Sequence, residues 1–266
     1  MPVTAPAHQA VVLPLKLLWP ARTDATALCI GAAAPDLGYP LFGIDSHSPV
    51  GVVAFAVPLT LVAAWVLRHR AALGVFAQLP DAGPFRLRSY RVLVHRRPGW
   101  IMTLTCALIG AVSHVVVDAF THQGRWGAEW FGLDHVLFSA LVVGEMTGAR
   151  VLQYAGHILG SLASIAMFAH IGRAQLLERW YGADLVEASR DVQPNLWNRV
   201  RFASATAVGV LVAVALTRSG GGSPIFAVLL GGTIGALAGG WWTAGKHPDG
   251  PTVARPRQDS NLRPSD

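Results

Sequence analysis

The stretch Trp100-Ile-Met-Thr-Leu-Thr-Cys-Ala-Leu-Ile-Gly-Ala-Val-Ser-His114-Val-Val-Val-Asp118-Ala-Phe120-Thr-His122 carries one imidazole and one carboxylate inside an apolar run from Trp100 to Phe120. Crossing ~30 Å of bilayer hydrocarbon takes about 20 mostly apolar residues, so this run reads as a membrane-spanning helix. Four further runs meet the same test: Val50 to Leu67, Val151 to Ile171, the shorter Phe202 to Leu216, and Ile225 to Trp242. Of 266 residues, 52% are hydrophobic and only 14% charged, which excludes an ordinary soluble domain. Ahead of the spans, Ala10 to Trp19 and Ala25 to Ala34 are split by Pro20, Arg22 and Asp24 and read as a helical hairpin or re-entrant element. The predicted fold class is all-α: a multi-pass transmembrane helical bundle of about five full spans plus a short N-terminal helical hairpin. Ser48-Pro49 suits a helix start, since the Ser oxygen caps free N–H groups and Pro tolerates the first helical position, so His47 sits just before the first span. Phe131 to Val143, with Asp134, His135 and Glu145 around it, is expected at the interface rather than across the membrane.

Charge predicts orientation. The formal net charge of +6 does not point to nucleic acid, because the arginines cluster in connections between apolar runs, where topology and anionic lipid account for them. The expected partners are membrane lipids. The connection after the first span holds Arg68, Arg70, Arg86, Arg88, Arg91, Arg96 and Arg97 against Asp81 as its only acid, and is expected in the cytoplasm. Alternation then puts the connection with Arg173, Arg179, Arg190, Arg199 and Arg201 on the same side, and His47, Asp118 and His122 at the outer face. The chain divides into residues 1–172 with the polar set, a cytoplasmic connection 173–201, a C-terminal helical hairpin 202–244 turning at Gly220 to Gly222, and a disordered tail 245–266. In that tail, Asp259-Ser260-Asn261-Leu262-Arg263-Pro264 matches a translated antisense transfer-RNA T-arm, and it is expected to have no packing role. No basic region precedes the first apolar run and Lys16 interrupts it, so no cleaved signal peptide is expected. Cys29 and Cys106 lack the spacing of a zinc knuckle or redox pair.

His114, Asp118 and His122 recur at i, i+4 and i+8, which stacks them on one side of a helix. An Asp at the centre of a membrane helix costs about 2.5 to 3.5 kcal/mol on insertion scales, so something must offset it. A metal ion would, since imidazole and carboxylate are its usual N and O ligands; a polar knot between helices is the alternative. Asp36, after Pro35, and His47, in Ser46-His47-Ser48, fall at the same predicted face, and His8 joins them if the N-terminal hairpin folds back. Gln153 and Tyr154 begin the third span near that face, and His157 can approach it. His69, His95 and His247 lie in basic segments on the far side. No Walker loop, dinucleotide fingerprint or Gly-x-Ser-x-Gly elbow is present.

Taken in order, Met1-Pro-Val-Thr-Ala-Pro-Ala-His8, Val12-Leu-Pro-Leu15, Ala34-Pro-Asp36, Ser46-His-Ser48, Ser113 to His122 and Arg150-Val-Leu-Gln-Tyr154 resemble the bacterial membrane family called domain of unknown function 4184, over about residues 1–172. More distantly, the order His, Asp, Ser-His-Ser, His-x-x-x-Asp is similar to predicted inner-membrane metal-dependent hydrolases, and through them to the zinc-dependent phospholipase C pattern. That likeness implies His8, Asp36, His47, His114 and Asp118 as metal ligands, a divalent metal, zinc, as cofactor, and the bacterial inner membrane as location. The His-x-x-x-Glu pair of the phospholipase pattern has no match, since Ser161 follows His157 by four. The leading expectation is a membrane-embedded metal-dependent hydrolase of a lipid or membrane-associated (phospho)ester, with Asp118, Asp36 and His122 as catalytic candidates. Open beside it stand a non-enzymatic protein that binds or passes a metal ion or proton, and a structural helical bundle.

Overall fold

Helix α1 (Gln9–Leu18) and helix α2 (Ala25–Gly31) form the expected N-terminal pair. Lys16, which breaks the apolar pattern of α1, is buried and donates to the carbonyls of Pro20 at 2.6 Å and Thr23 at 3.1 Å, closing the turn between the helices. The computed structural model describes residues 6–38, 43–81, 83–140, 144–191, 193–220 and 224–244; the turn at residues 221–222, His247 and the tail 245–266 lie outside the described residues. A 3₁₀ turn at Ala34–Leu37 leads toward α3 (Pro49–Gln78), whose start is capped as predicted: Ser48 Oγ accepts from Gly51 N–H at 3.1 Å. Within α3, Val52–Ala56 and Leu67–Ala71 are π-helical, the first just before Pro58, which has no N–H for the carbonyl four residues back.

The sequence predicts that the first span ends at Leu67, with Arg68 and Arg70 as loop charges. The helix instead continues to Gln78. Arg68 is buried and pairs with both oxygens of Asp24, and Thr103 Oγ1 donates to Asp24 at 2.8 Å. With its charge matched inside the protein, Arg68 does not have to leave the helix for water.

After a 3₁₀ helix at Leu87–His95, the remaining described elements are α4 (Trp100–Thr121), α5 (Trp126–Trp130), a hairpin of β1 (Val136–Ala140) and β2 (Gly144–Thr147), α6 (Gly148–Arg173), α7 (Leu176–Tyr181), α8 (Ala183–Arg190), α9 (Leu196–Gly220) and α10 (Pro224–Ala244). Among the described residues, five helices are long and apolar enough to cross a membrane: Pro49–Gln78, Trp100–Thr121, Gly148–Arg173, Leu196–Leu216 and Ala227–Ala244. The protein is a multi-pass membrane helical bundle. The fourth span, short by sequence, is lengthened because α9 starts at Leu196 rather than Phe202. The segment around Phe131 to Val143 contributes an antiparallel pair, with Val136 opposite Thr147 and Ala140 opposite Gly144. Gly144 has φ of 71°, open to glycine at little steric cost.

Two contacts position the site. Helices α2 and α4 touch through Gly31 and Gly110: a Cβ on Gly110 would lie 2.5 Å from the Leu28 carbonyl oxygen, and one on Gly31 2.6 Å from that of Ala107. Small residues at such a crossing let two backbones close up in a membrane. At the opposite end of α4, the two arginine-rich connections pack on each other. Arg91 Nη1 donates to the Ser189 carbonyl at 2.6 Å, Arg190 meets Asp81 at 2.6 Å, and Val92, Ile171, Leu177 and Val186 bury a shared apolar cluster.

Candidate metal centre

His114 stands one turn beyond Gly110, beside Ala32 just past the end of α2. It is fully buried, and its Nδ1 lies 2.8 Å from the Ala32 carbonyl. A carbonyl only accepts, so Nδ1 donates to it and Nε2 is left as the atom that can ligate, the arrangement that outer partners impose on metal-ligating histidines. One turn on, Asp118 Oδ2 is 3.3 Å from that Nε2. Asp36 and His47 come from the segment between α2 and α3. Buried Ser46 holds them together: its hydroxyl donates to the Pro35 carbonyl, pinning the 3₁₀ turn that bears Asp36 to the residue before His47. Ser46 and Ser48 thus anchor the two sides of His47, a role that the Ser-His-Ser string did not disclose.

Four side chains converge. His47 Nε2 is 3.2 Å from His114 Nε2, 3.2 Å from Asp118 Oδ2 and 3.9 Å from Asp36 Oδ1, and His114 Nε2 is 3.4 Å from Asp36 Oδ1. One ligand atom from each of the four lies within 4.8 Å of the others, so the cluster can coordinate a metal ion. Bonds of about 2.0–2.2 Å in a tetrahedron set ligand atoms about 3.3–3.6 Å apart, close to the separations found here. The charge also fits, because two carboxylates in a mostly buried place are offset by a divalent cation. The side chain of Asp36 is the most exposed of the four, at 23%, against 0% for His114.

His8 reaches the same place. Ser164 of α6 donates to the Pro6 carbonyl at 2.7 Å, and Gly160 lets Ala7 approach to 2.9 Å from where a Cβ would stand. These contacts stack the His8 ring on His114, with centroids 4.0 Å apart, and set its Nε2 3.5 Å from Asp118 Oδ1. Burial first of all pushes the His8 imidazole down from its usual range to about 4. His122 Nδ1 is 3.6 Å from the same Asp118 oxygen, and Gln153 Nε2 lies 2.7 Å from His122 Nε2. Asp118 therefore turns one oxygen to the four-residue cluster and the other, which is buried without a hydrogen-bond partner, to His8 and His122. His157 Nε2 is likewise buried without a partner and within electrostatic reach of His122 and Asp118. His69 is exposed beside Trp65, and His135 is exposed beyond α5.

A membrane-spanning helical bundle with a His and Asp cluster able to hold a metal ion is the class these features define. The family model for domain of unknown function 4184 (DUF4184) matches residues 1–239, and the chain belongs to that family. The match runs well past residue 172, through the connection and into α10. No curated protein and no solved structure matches the chain.

Proposed function

We propose that the protein is a membrane-embedded metal-dependent hydrolase acting on a lipid or another membrane-associated (phospho)ester. The observation that carries this reading is the convergence of Asp36, His47, His114 and Asp118 within one turn or two of the end of a spanning helix. These four would hold the ion, with His8 beside them. Mixed N and O donors without cysteine suit zinc first, with manganese or iron behind it. The bound ion would lower the pKa of a water toward neutrality and offset charge on the reacting ester. Asp36, the most exposed carboxylate of the four, would serve as the base for such a water. Asp118, whose second oxygen faces His8 and His122, would be the carboxylate shared with any second ion. With Gln153 donating to Nε2, His122 keeps its proton on Nδ1, where it can be passed to a leaving group.

A route for ions or protons through the bundle finds less support. From His114 toward the buried Asp24–Arg68 pair, the α4 side facing α2 is Gly110 and Ala107, in direct contact with backbone.

The test is turnover. Purified protein mixed with phosphatidylglycerol vesicles should release a cleaved lipid product, seen by mass spectrometry, that stops with chelator and returns with added zinc. Metal-loaded protein that cleaves no lipid phosphoester would end the hydrolase reading and leave metal binding.

The bacterial inner membrane as location, with the centre at its outer face, belongs to the same proposal. The two basic connections share one end of the bundle, and short basic loops favour the cytoplasm. Reporter fusions at Arg88 and Gly124 are expected to give cytoplasmic and external signals respectively. The reverse pattern would move the centre to the inner face.

A further inference from the structure

Between the first turns of α3 and the second half of α4 lies a cavity of about 450 Å³, within the range of small-molecule sites. His47, Asp118, Arg125 and Trp126 line it near the C-terminal end of α4, and Leu108 lies about three turns further down the helix. The walls are otherwise apolar: Val52 and Val53 from the π-helical part of α3, and Leu108, Val112 and Val116 from α4. Val53, Val112 and Val116 are each more than 40% exposed, so the cavity is a groove open along its side. On spanning helices that side meets lipid. From Leu108 to Asp118 the helix rises about 15 Å, half of the ~30 Å hydrocarbon core and thus the depth of one leaflet.

The ends of α4 mark the level of the groove. Trp100 is exposed at one end, and Trp126 and Trp130 are exposed just past the other. Amphipathic rings of this kind lie at the headgroup level. Asp118 and Arg125 then fall where a lipid's ester and phosphate lie. Arg125 is exposed and makes no ion pair among the described residues, and its planar guanidinium suits phosphate oxygens.

We propose that the groove seats one acyl chain of a phosphate-bearing membrane lipid, with Arg125 on the phosphate and the adjoining ester beside His47 and Asp118. The substrate thus enters sideways from the leaflet rather than from water. That it is a substrate rests on the hydrolase reading; the lipid seat does not.

The experiment uses the full chain in phosphatidylcholine nanodiscs, with phosphatidylglycerol carrying a diazirine halfway along one acyl chain. Label is expected on the peptides around Val53 and Val112. Val112→Trp, and separately Val53→Trp, should lower it about tenfold, equivalent to ~1.4 kcal/mol, while Val208→Trp, on an exposed face of α9, leaves it unchanged. Arg125→Gln should reduce labelling by the phosphatidylglycerol probe, and millimolar inorganic phosphate should not compete as added phosphatidylglycerol does. Label spread evenly over exposed helices, label at the wild-type level in both groove-filling variants, or full competition by inorganic phosphate would overturn the proposal. Metal content measured on the same samples separates the two ideas: groove labelling of metal-free protein supports the seat and counts against the centre, while metal-loaded protein without groove labelling does the reverse.

Discussion

Asp118→Asn protein, purified without chelator, is expected to carry at least about 100-fold weaker metal affinity than wild type, because loss of a ligand should exceed the 10–100-fold typical of an outer-shell change. The substitution keeps the shape of the side chain and its capacity to accept from His47, 3.2 Å away. What it removes is the negative charge and the second carboxylate oxygen, which His8 and His122 face. A polar knot between helices tolerates that exchange; a metal centre does not. His114→Ala should behave alike, whereas His69→Ala, at an exposed site beside Trp65, should retain full metal. The same contrast should appear in stability. An ion present at 100 times its Kd stabilises the folded form by about 2.7 kcal/mol, so chelator should lower the melting temperature of wild type and leave Asp118→Asn unmoved. Elemental analysis showing negligible metal in wild type, or equal metal in both proteins, would remove the metal centre and the hydrolysis built on it.

The spans were legible because hydrocarbon leaves little choice: an apolar run the length of Trp100 to Phe120 must satisfy its backbone as a helix. His114 and Asp118 were legible for a related reason, since a spacing of four puts both on one face. Asp36 and His47 were candidates only by company. What brings them to His114 is a hydroxyl-to-carbonyl bond from Ser46 to Pro35 across eleven residues, and the α2–α4 contact at Gly31 and Gly110, neither of which a periodicity reveals. His8 depended on α6 gripping Pro6 and Ala7 from more than 150 residues away. The β-hairpin at 136–147 was missed because a short apolar run fits strand and helix alike. Arg125, which lines the groove, carried no signal, as a lone arginine after a span is ordinary.

Arg68→Met is expected to destabilise the protein by about 3–5 kcal/mol, the usual result of removing one partner of a buried ion pair and leaving the other charge unmatched. Sequence alone placed Arg68 in a basic loop, where its loss would cost almost nothing. In the fold, its guanidinium meets both oxygens of Asp24, which also accept from Thr103 and cap α2 through Ala27. Asp24→Asn alone should be harmful too, because asparagine keeps the cap but strands Arg68. The double variant Asp24→Asn/Arg68→Met should recover much of the loss, since neither charge then remains buried. Unfolding in detergent of the four proteins measures the coupling directly. Metal content should hold in whichever variants fold, because Thr103 and His114 are about 16 Å apart along α4. Single variants as stable as wild type would mean that water reaches the pair and that Arg68 acts as the loop charge its sequence suggested, so that α3 effectively ends near Leu67.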